Sequence, residues 1–146
     1  MYKGKRGRRR MSQEEVARKY GFRSGLEERV SKQLEKLNVS YEYETLKIKY
    51  VQPEKNRTYT PDFILPNGII IETKGLLRTE DRQKHKWILD QHPELNIRFV
   101  FSNSNSKIRK GSQTTYAMWC EKLGIPYADK EIPLAWIKEK KKETNE

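Results

Sequence analysis

Cysteine is almost missing from this chain: Cys120 is the only one among 146 residues. No intramolecular disulfide can form, no metal site can rest on paired thiolates, and the usage fits a reducing cytoplasm. Histidine is scarce too, with only His85 and His92. Any metal must therefore be held by oxygen or by these two imidazoles. Apolar residues make up 34% of the chain and charged residues 35%, which predicts a small core under a densely charged surface. No apolar run approaches the length of a membrane-spanning helix, and no secretory pattern opens the chain. No internal repeat is visible.

What the chain has in excess is positive charge: 31 Lys and Arg against 20 Asp and Glu, a net +11. Such a balance favours polyanionic partners, nucleic acid before any anionic membrane. Residues 1–11 hold Lys3, Lys5, Arg6, Arg8, Arg9 and Arg10 without an acid. They read as a disordered basic arm able to touch phosphates, the plain alternative being a solubilising tail.

The length suits one domain. Ser24 and Glu27 form a capping-box pattern at the head of a helix over 24–37, with Leu26, Val30, Leu34 and Leu37 on one stripe. Glu27 borders that stripe, and Glu28 points away from it as a solvated charge. Tyr41 and Tyr43 alternate with acids, then Leu46, Ile48 and Tyr50 with lysines. The flip of apolar parity between 44 and 46 marks a bulge or a change of strand. A polar connector over 52–56 leads to a hairpin over 58–74. Further along come a helix from Thr79 to Gln91, a strand carrying Ile97, Phe99 and Phe101, and a polar, basic loop over 102–112. A helix over 114–123 ends at Gly124, and residues 134–137 form a docked last turn before a frayed tail. Strand, helix, strand over 69–101 suggests a right-handed βαβ crossover in a partly parallel sheet.

The hairpin carries the most information. Asp62-Phe63-Ile64-Leu65 and Ile69-Ile70-Ile71-Glu72-Thr73-Lys74 flank Pro66-Asn67-Gly68. A three-residue loop places Asp62 opposite Glu72 on one face, with Lys74 two residues along. A two-residue Asn67-Gly68 loop sends the carboxylates to opposite faces, and Asn-Gly alone favours that one. Ile69-Ile70-Ile71 is apolar on both faces and reads as a buried central strand, so Glu72 at its end needs a cation or hydrogen bonds.

Two carboxylates and an ammonium on a basic protein suit phosphodiester hydrolysis. Carboxylates bind Mg²⁺, and two ions about 4 Å apart can clamp attacking and leaving oxygens. A lysine adds charge near the phosphate, and a lowered pKa would let it deprotonate water. The blander readings are turn chemistry for Asp62, a solvent-facing stripe for Glu72 and Lys74, and a helix cap for Glu27.

Pro61-Asp62, nine intervening residues and Glu72-Thr73-Lys74 match the PD-(D/E)xK pattern of restriction-endonuclease-like nucleases. With Phe22-Arg23-Ser24-Gly25-Leu26-Glu27, Tyr59-Thr60-Pro61-Asp62-Phe63, Gln91-His92-Pro93-Glu94-Leu95 and Trp136-Ile137-Lys138, the chain from about Phe22 to Ile137 resembles the phage-type endonuclease I family of four-way junction resolvases. The resemblance implies an α/β fold with a restriction-endonuclease-like core, a mixed β-sheet flanked by helices, in an intertwined, domain-swapped homodimer. It implies a nuclease domain over 22–137; the basic flexible arm over 1–21 and the charged tail over 138–146 are read from charge alone and depart from the family. Within the domain, 22–46 would be exchanged, 47–58 would bridge and 59–137 would form the core. Glu27, Asp62 and Glu72 would hold Mg²⁺, or Mn²⁺ in its place, with two ions per site, and Lys74 would be essential for catalysis. Glu27 would come from the other subunit.

The leading expectation is thus a metal-dependent endonuclease for branched DNA, acting in the cytoplasm of a bacterial host. In-line attack by water would leave a 5′-phosphate and a 3′-hydroxyl. A PD-(D/E)xK nuclease for ordinary or mismatched duplex and a non-catalytic basic DNA-binding protein are the competing readings. Arg23, Lys107, Arg109 and Lys110 are the expected phosphate contacts on charge alone, and His85 and His92 the expected structural or surface residues.

Overall fold

The computed structural model describes residues 25–52 and 55–141. The basic arm, Arg23, the Ser24 cap and the end of the charged tail lie outside them. The chain is a mixed α/β protein. Helix α1 spans Gly25–Lys36, and short strand β1 (Glu42–Tyr43) follows it. β2 (Ile48–Gln52) and β3 (Lys55–Tyr59) pair antiparallel as a separate two-stranded sheet. β4 (Phe63–Ile64), β5 (Ile70–Lys74), β6 (Ile97–Phe101) and β7 (Tyr127–Asp129) join β1 in a five-stranded sheet ordered β1-β4-β5-β6-β7. α2 (Thr79–Gln91) links β5 to β6, α3 (Tyr116–Leu123) precedes β7, and α4 (Leu134–Lys138) closes the described chain.

β5 and β6 run parallel, as do β6 and β7, whereas β1, β4 and β5 are antiparallel neighbours. The isoleucine run is indeed the central strand. Its alternate residues serve two cores. Ile70, Phe99 and Phe101 pack with Ile88 of α2 and Cys120 of α3. Ile71, Val100 and Phe63 pack with Val30 and Leu34 of α1. Val30 and Leu34 are fully buried, worth about 1.5–3 kcal/mol each. Leu37, expected on the same stripe, lies beyond the helix and is exposed.

The parity flip after Tyr43 is a change of sheet. Glu44 takes a left-handed φ of 53° and turns the chain out of β1 toward β2. Along 47–58, the expected inter-subunit bridge, Ile48–Gln52 pairs antiparallel with Lys55–Tyr59 in this single chain. Gln91 fastens this pair to α2 by donating to the Val51 carbonyl and accepting its N–H, both at 2.6 Å.

Three expectations need correction. Glu28 is not solvated: its side chain is only 13% exposed and pairs with Lys32 at 2.7 Å. β6 is buried on both faces: opposite the apolar alternation Val100 packs in the α1 core, and Arg98 makes a two-pronged pair with Glu139 at 2.8 and 2.9 Å. The start of the tail is therefore docked rather than frayed. β7 had no expectation at all, being three residues of ordinary composition that only the β6 edge recruits. Thr115 caps α3 and Gly124, at φ 73°, ends it as expected.

Candidate active site

The site begins with the β4–β5 turn. Leu65 N–H donates to Ile69 O and Gly68 N–H to Leu65 O, both at 2.9 Å. Pro66, Asn67 and Gly68 are thus a three-residue loop, with Gly68 at φ 89°. Proline early in the turn and a left-handed glycine at its end are what such a loop needs. The shorter loop would leave Pro66 as a paired strand residue with no N–H to give. Asn67 is also engaged elsewhere, donating to the carbonyls of Trp136 and Glu139 at 2.8 Å.

This loop sets the register Phe63↔Ile71 and Ile64↔Ile70. One step further this register brings Asp62 level with Glu72 at the end of β5, where Lys74 follows on Glu72's side. Asp62 and Glu72 are 4% and 6% exposed. Thr73 anchors Asp62 by giving its backbone N–H (2.9 Å) and its hydroxyl (2.8 Å) to Oδ2. Tyr59 donates its phenol to Glu72 Oε1 at 2.8 Å. The other oxygen, Oε2, faces Lys74 Nζ at 3.6 Å. Lys74 is drawn on its far side to Asp81 Oδ1 at 3.2 Å, in the first turn of α2.

Electrostatics follow from this crowding. Burial, and after it the charge of Asp62, pushes the Glu72 carboxyl up to about 8, although Lys74 and the Tyr59 hydrogen bond pull the other way. A cation beside it would relieve that cost. For Lys74, burial pulls the ammonium down, yet Glu72, Asp81 and Asp62 outweigh it and raise its pKa. The expectation of a lowered lysine pKa is therefore corrected. Lys74 is a cation here, suited to holding charge rather than taking a proton.

Glu27, in the first turn of α1, is 5% exposed and accepts the Tyr43 hydroxyl at 2.8 Å. Its carboxylate meets those of Asp62 and Glu44, with one oxygen of each within 4.8 Å of the others. In the sequence Glu44 is only one of the acids alternating with Tyr41 and Tyr43. Its left-handed backbone and an N–H donated to Asp62 O at 3.1 Å hold it there. The parity flip beside it was the one sequence signal of that kink. A set of carboxylate oxygens with no thiolate suits a hard divalent cation such as Mg²⁺. Glu72 is not one of this trio, but the charge of Asp62 reaches it.

His85 is no surface residue. It is 1% exposed, stacks edge-on with Tyr59 and Phe99 at 5.1 and 4.8 Å, and places Nε2 4.0 Å from Glu72 Oε2. Burial, then Lys74 and Lys84, hold its pKa well below the ordinary value, so it packs as a neutral ring. His92 is structural, its Nε2 meeting Lys49 O at 2.6 Å.

The family model of phage endonuclease I matches residues 9–146. The chain is 61% identical over 127 residues to endonuclease I of Escherichia phage T7, covering 86% of this chain and 85% of that protein. It is 62% identical over 122 residues to endodeoxyribonuclease 1 of Enterobacteria phage T3, covering 84% and 80%. The chain belongs to the phage endonuclease I family.

In this family member the four motif residues gather at one end of the sheet, where β4 begins and β5 ends. The basic loop springs from the same end, after β6. Arg82 donates to the carbonyls of Leu77 (2.9 Å) and Ile108 (3.4 Å), tying the loop to the turn of α2 that holds Asp81. Lys107, Arg109 and Lys110 are exposed on it. No helix among the described residues is long and apolar enough to cross a membrane.

Proposed function

We propose that this phage endonuclease I relative is a divalent-metal-dependent deoxyribonuclease that resolves four-way and other branched DNA. Its products would be 5′-phosphate and 3′-hydroxyl ends. The observation that carries the reading is the gathering of buried carboxylates, Asp62 with Glu27 of α1 and Glu44, and Glu72 within reach of the Asp62 charge with Lys74 beside it. The names of the two relatives, an endonuclease and an endodeoxyribonuclease, support DNA as the substrate. The net charge of +11 supports binding to phosphates.

Glu27, Asp62 and Glu72, joined by Glu44, would hold Mg²⁺ or Mn²⁺, with two ions per site. When bound, such ions supply positive charge to the phosphoryl oxygens and make water a better nucleophile at neutral pH. Thr73 keeps one oxygen of Asp62 fixed. Lys74, cationic, offsets charge that develops on the phosphate. Lys107, Arg109 and Lys110 would guide the backbone toward that end of the sheet, and Arg23 would join them on charge grounds.

We read the five-stranded sheet as a restriction-endonuclease-like core and the working enzyme as an intertwined homodimer. Residues 22–46 would be exchanged through 47–58. In the single chain Gln33 holds the backbone of Ile132 on both sides, at 2.6 and 2.8 Å. An exchange would keep that contact and the meeting of Glu27 with Asp62 but make them between chains, which is the low-cost route to a dimer. Two sites related by one axis suit paired cuts across a junction.

The test is cleavage of a fixed four-way junction in competition with excess linear duplex of the same sequence, with Mg²⁺ or with EDTA. Junction cleavage that needs Mg²⁺ is expected. Equal cleavage of duplex would assign a general nuclease, and binding without cleavage a DNA-binding protein.

A further inference from the structure

Tyr59 closes β3, three residues ahead of Asp62, and is 1% exposed. Its ring is fully packed: His85 lies edge-on at 5.1 Å and Lys84 Nζ sits over it at 5.2 Å. A phenylalanine would fill the same space. The hydroxyl is thus not needed for packing, yet it makes a single directed bond, 2.8 Å to Glu72 Oε1. That bond occupies one oxygen of a buried carboxylate and leaves the other beside Lys74. His85 packs edge-on against the ring and makes no hydrogen bond to the phenol, since neither of its ring nitrogens has a partner.

From this geometry we infer that Tyr59 is a positioning residue, whose hydroxyl fixes the rotamer of Glu72 so that Oε2 alone is presented to divalent metal. The inference rests on the metal-dependent reading above. Outer hydrogen bonds of this kind orient a ligand without touching the metal, and losing one typically costs 10–100-fold in metal affinity or activity. Tyr43 does the same for Glu27 at the same distance of 2.8 Å, so each buried glutamate has its own phenol donor. Both donors also stay with their carboxylates if residues 22–46 are exchanged, because Tyr43 travels with Glu27 and Tyr59 remains with Glu72.

The test is Mn²⁺ binding to the full chain, followed by electron paramagnetic resonance, for native protein, Tyr59→Phe, Glu72→Gln and the double variant. Tyr59→Phe is expected to bind Mn²⁺ about 10-fold more weakly or worse, with junction binding in EDTA unchanged. It should add nothing in the Glu72→Gln background. Native-like Mn²⁺ affinity in Tyr59→Phe, or an equal further loss in Glu72→Gln, overturns the inference. Should Tyr59→Phe not fold, 3-fluorotyrosine placed at position 59 keeps ring and hydroxyl. Its fluorine resonance is expected to shift on adding Mg²⁺, and a resonance indifferent to Mg²⁺ overturns the inference. A native chain that binds no Mn²⁺ at all instead overturns the metal-dependent reading itself.

Discussion

Thr73 and Asp62 are joined twice across the β4–β5 hairpin, through the backbone N–H and the hydroxyl of Thr73, both onto Oδ2 of Asp62. One oxygen is therefore committed to the fold while the other is left for chemistry. Replacing Thr73 by Val removes the hydroxyl and keeps the shape and the N–H. Metal affinity should fall about 10-fold with little change in melting temperature. Calorimetric Mg²⁺ titration checks this, and an unchanged titration would count against Thr73 as an anchor.

Lys74 lies 3.6 Å from Glu72 and 3.2 Å from Asp81. Lys74→Ala should abolish junction cleavage, by at least about 10²-fold if it stabilises developing charge, while gel-shift affinity for the junction stays. A Lys74→Ala protein that cuts at the native rate would sink the mechanism.

Glu44 adds a third carboxylate to Glu27 and Asp62. Glu44→Gln keeps the side chain's size and removes its charge. The Mg²⁺ concentration for half-maximal cleavage should rise several-fold, with the cleavage rate recovered at high Mg²⁺. A Mg²⁺ dependence identical to native would leave Glu44 without a role in metal binding.

Glu72, pushed up to about 8, ties stability to pH. An ordinary carboxyl titrates near 4.3 in the unfolded chain, so between these values the folded state binds the extra proton. By linkage, metal-free stability falls as pH rises from about 4.3 to about 8. Metal binding must displace that proton, so Mg²⁺ should raise the melting temperature more at pH 8 than at pH 5.5. Scanning calorimetry at both values, with Glu72→Gln as the flattened control, decides it.

Gly68 adopts φ 89°, with open space where a Cβ would stand. The cost of a side chain there is backbone strain alone. Gly68→Val should lose about 1–2 kcal/mol, read by urea unfolding. It should also lower activity, since a slipped loop would send Asp62 and Glu72 to opposite faces.

Part of the site is legible in the sequence. Pro66-Asn67-Gly68 marks a turn between two strands and leaves its length open, and with it the placing of Asp62 relative to Glu72. Ile69 to Ile71 announces a strand buried on both faces, and capping and spacing announce α1, α2 and α3. Each of these is a local effect of proline geometry, left-handed glycine or side-chain periodicity. Asn67-Gly68 on its own argued for the wrong loop, because the pull of the C-terminal turn on Asn67 is a long-range contact.

The remainder depended on packing between distant segments. Nothing near His85 says that its helix will press it between Tyr59 and Phe99. Nothing near Arg98 says that Glu139 will fold back to meet it. Glu44 joins the carboxylates only because the chain turns at that residue and its N–H finds the Asp62 carbonyl. Lys74 reverses its expected shift because Glu72, and after it Asp81 seven residues on, face it closely enough to outweigh burial. Local chemistry sets which groups are present and which faces they take. Which of them meet, and how far burial outweighs or yields to neighbouring charge, is settled only when the sheet and both helix layers close.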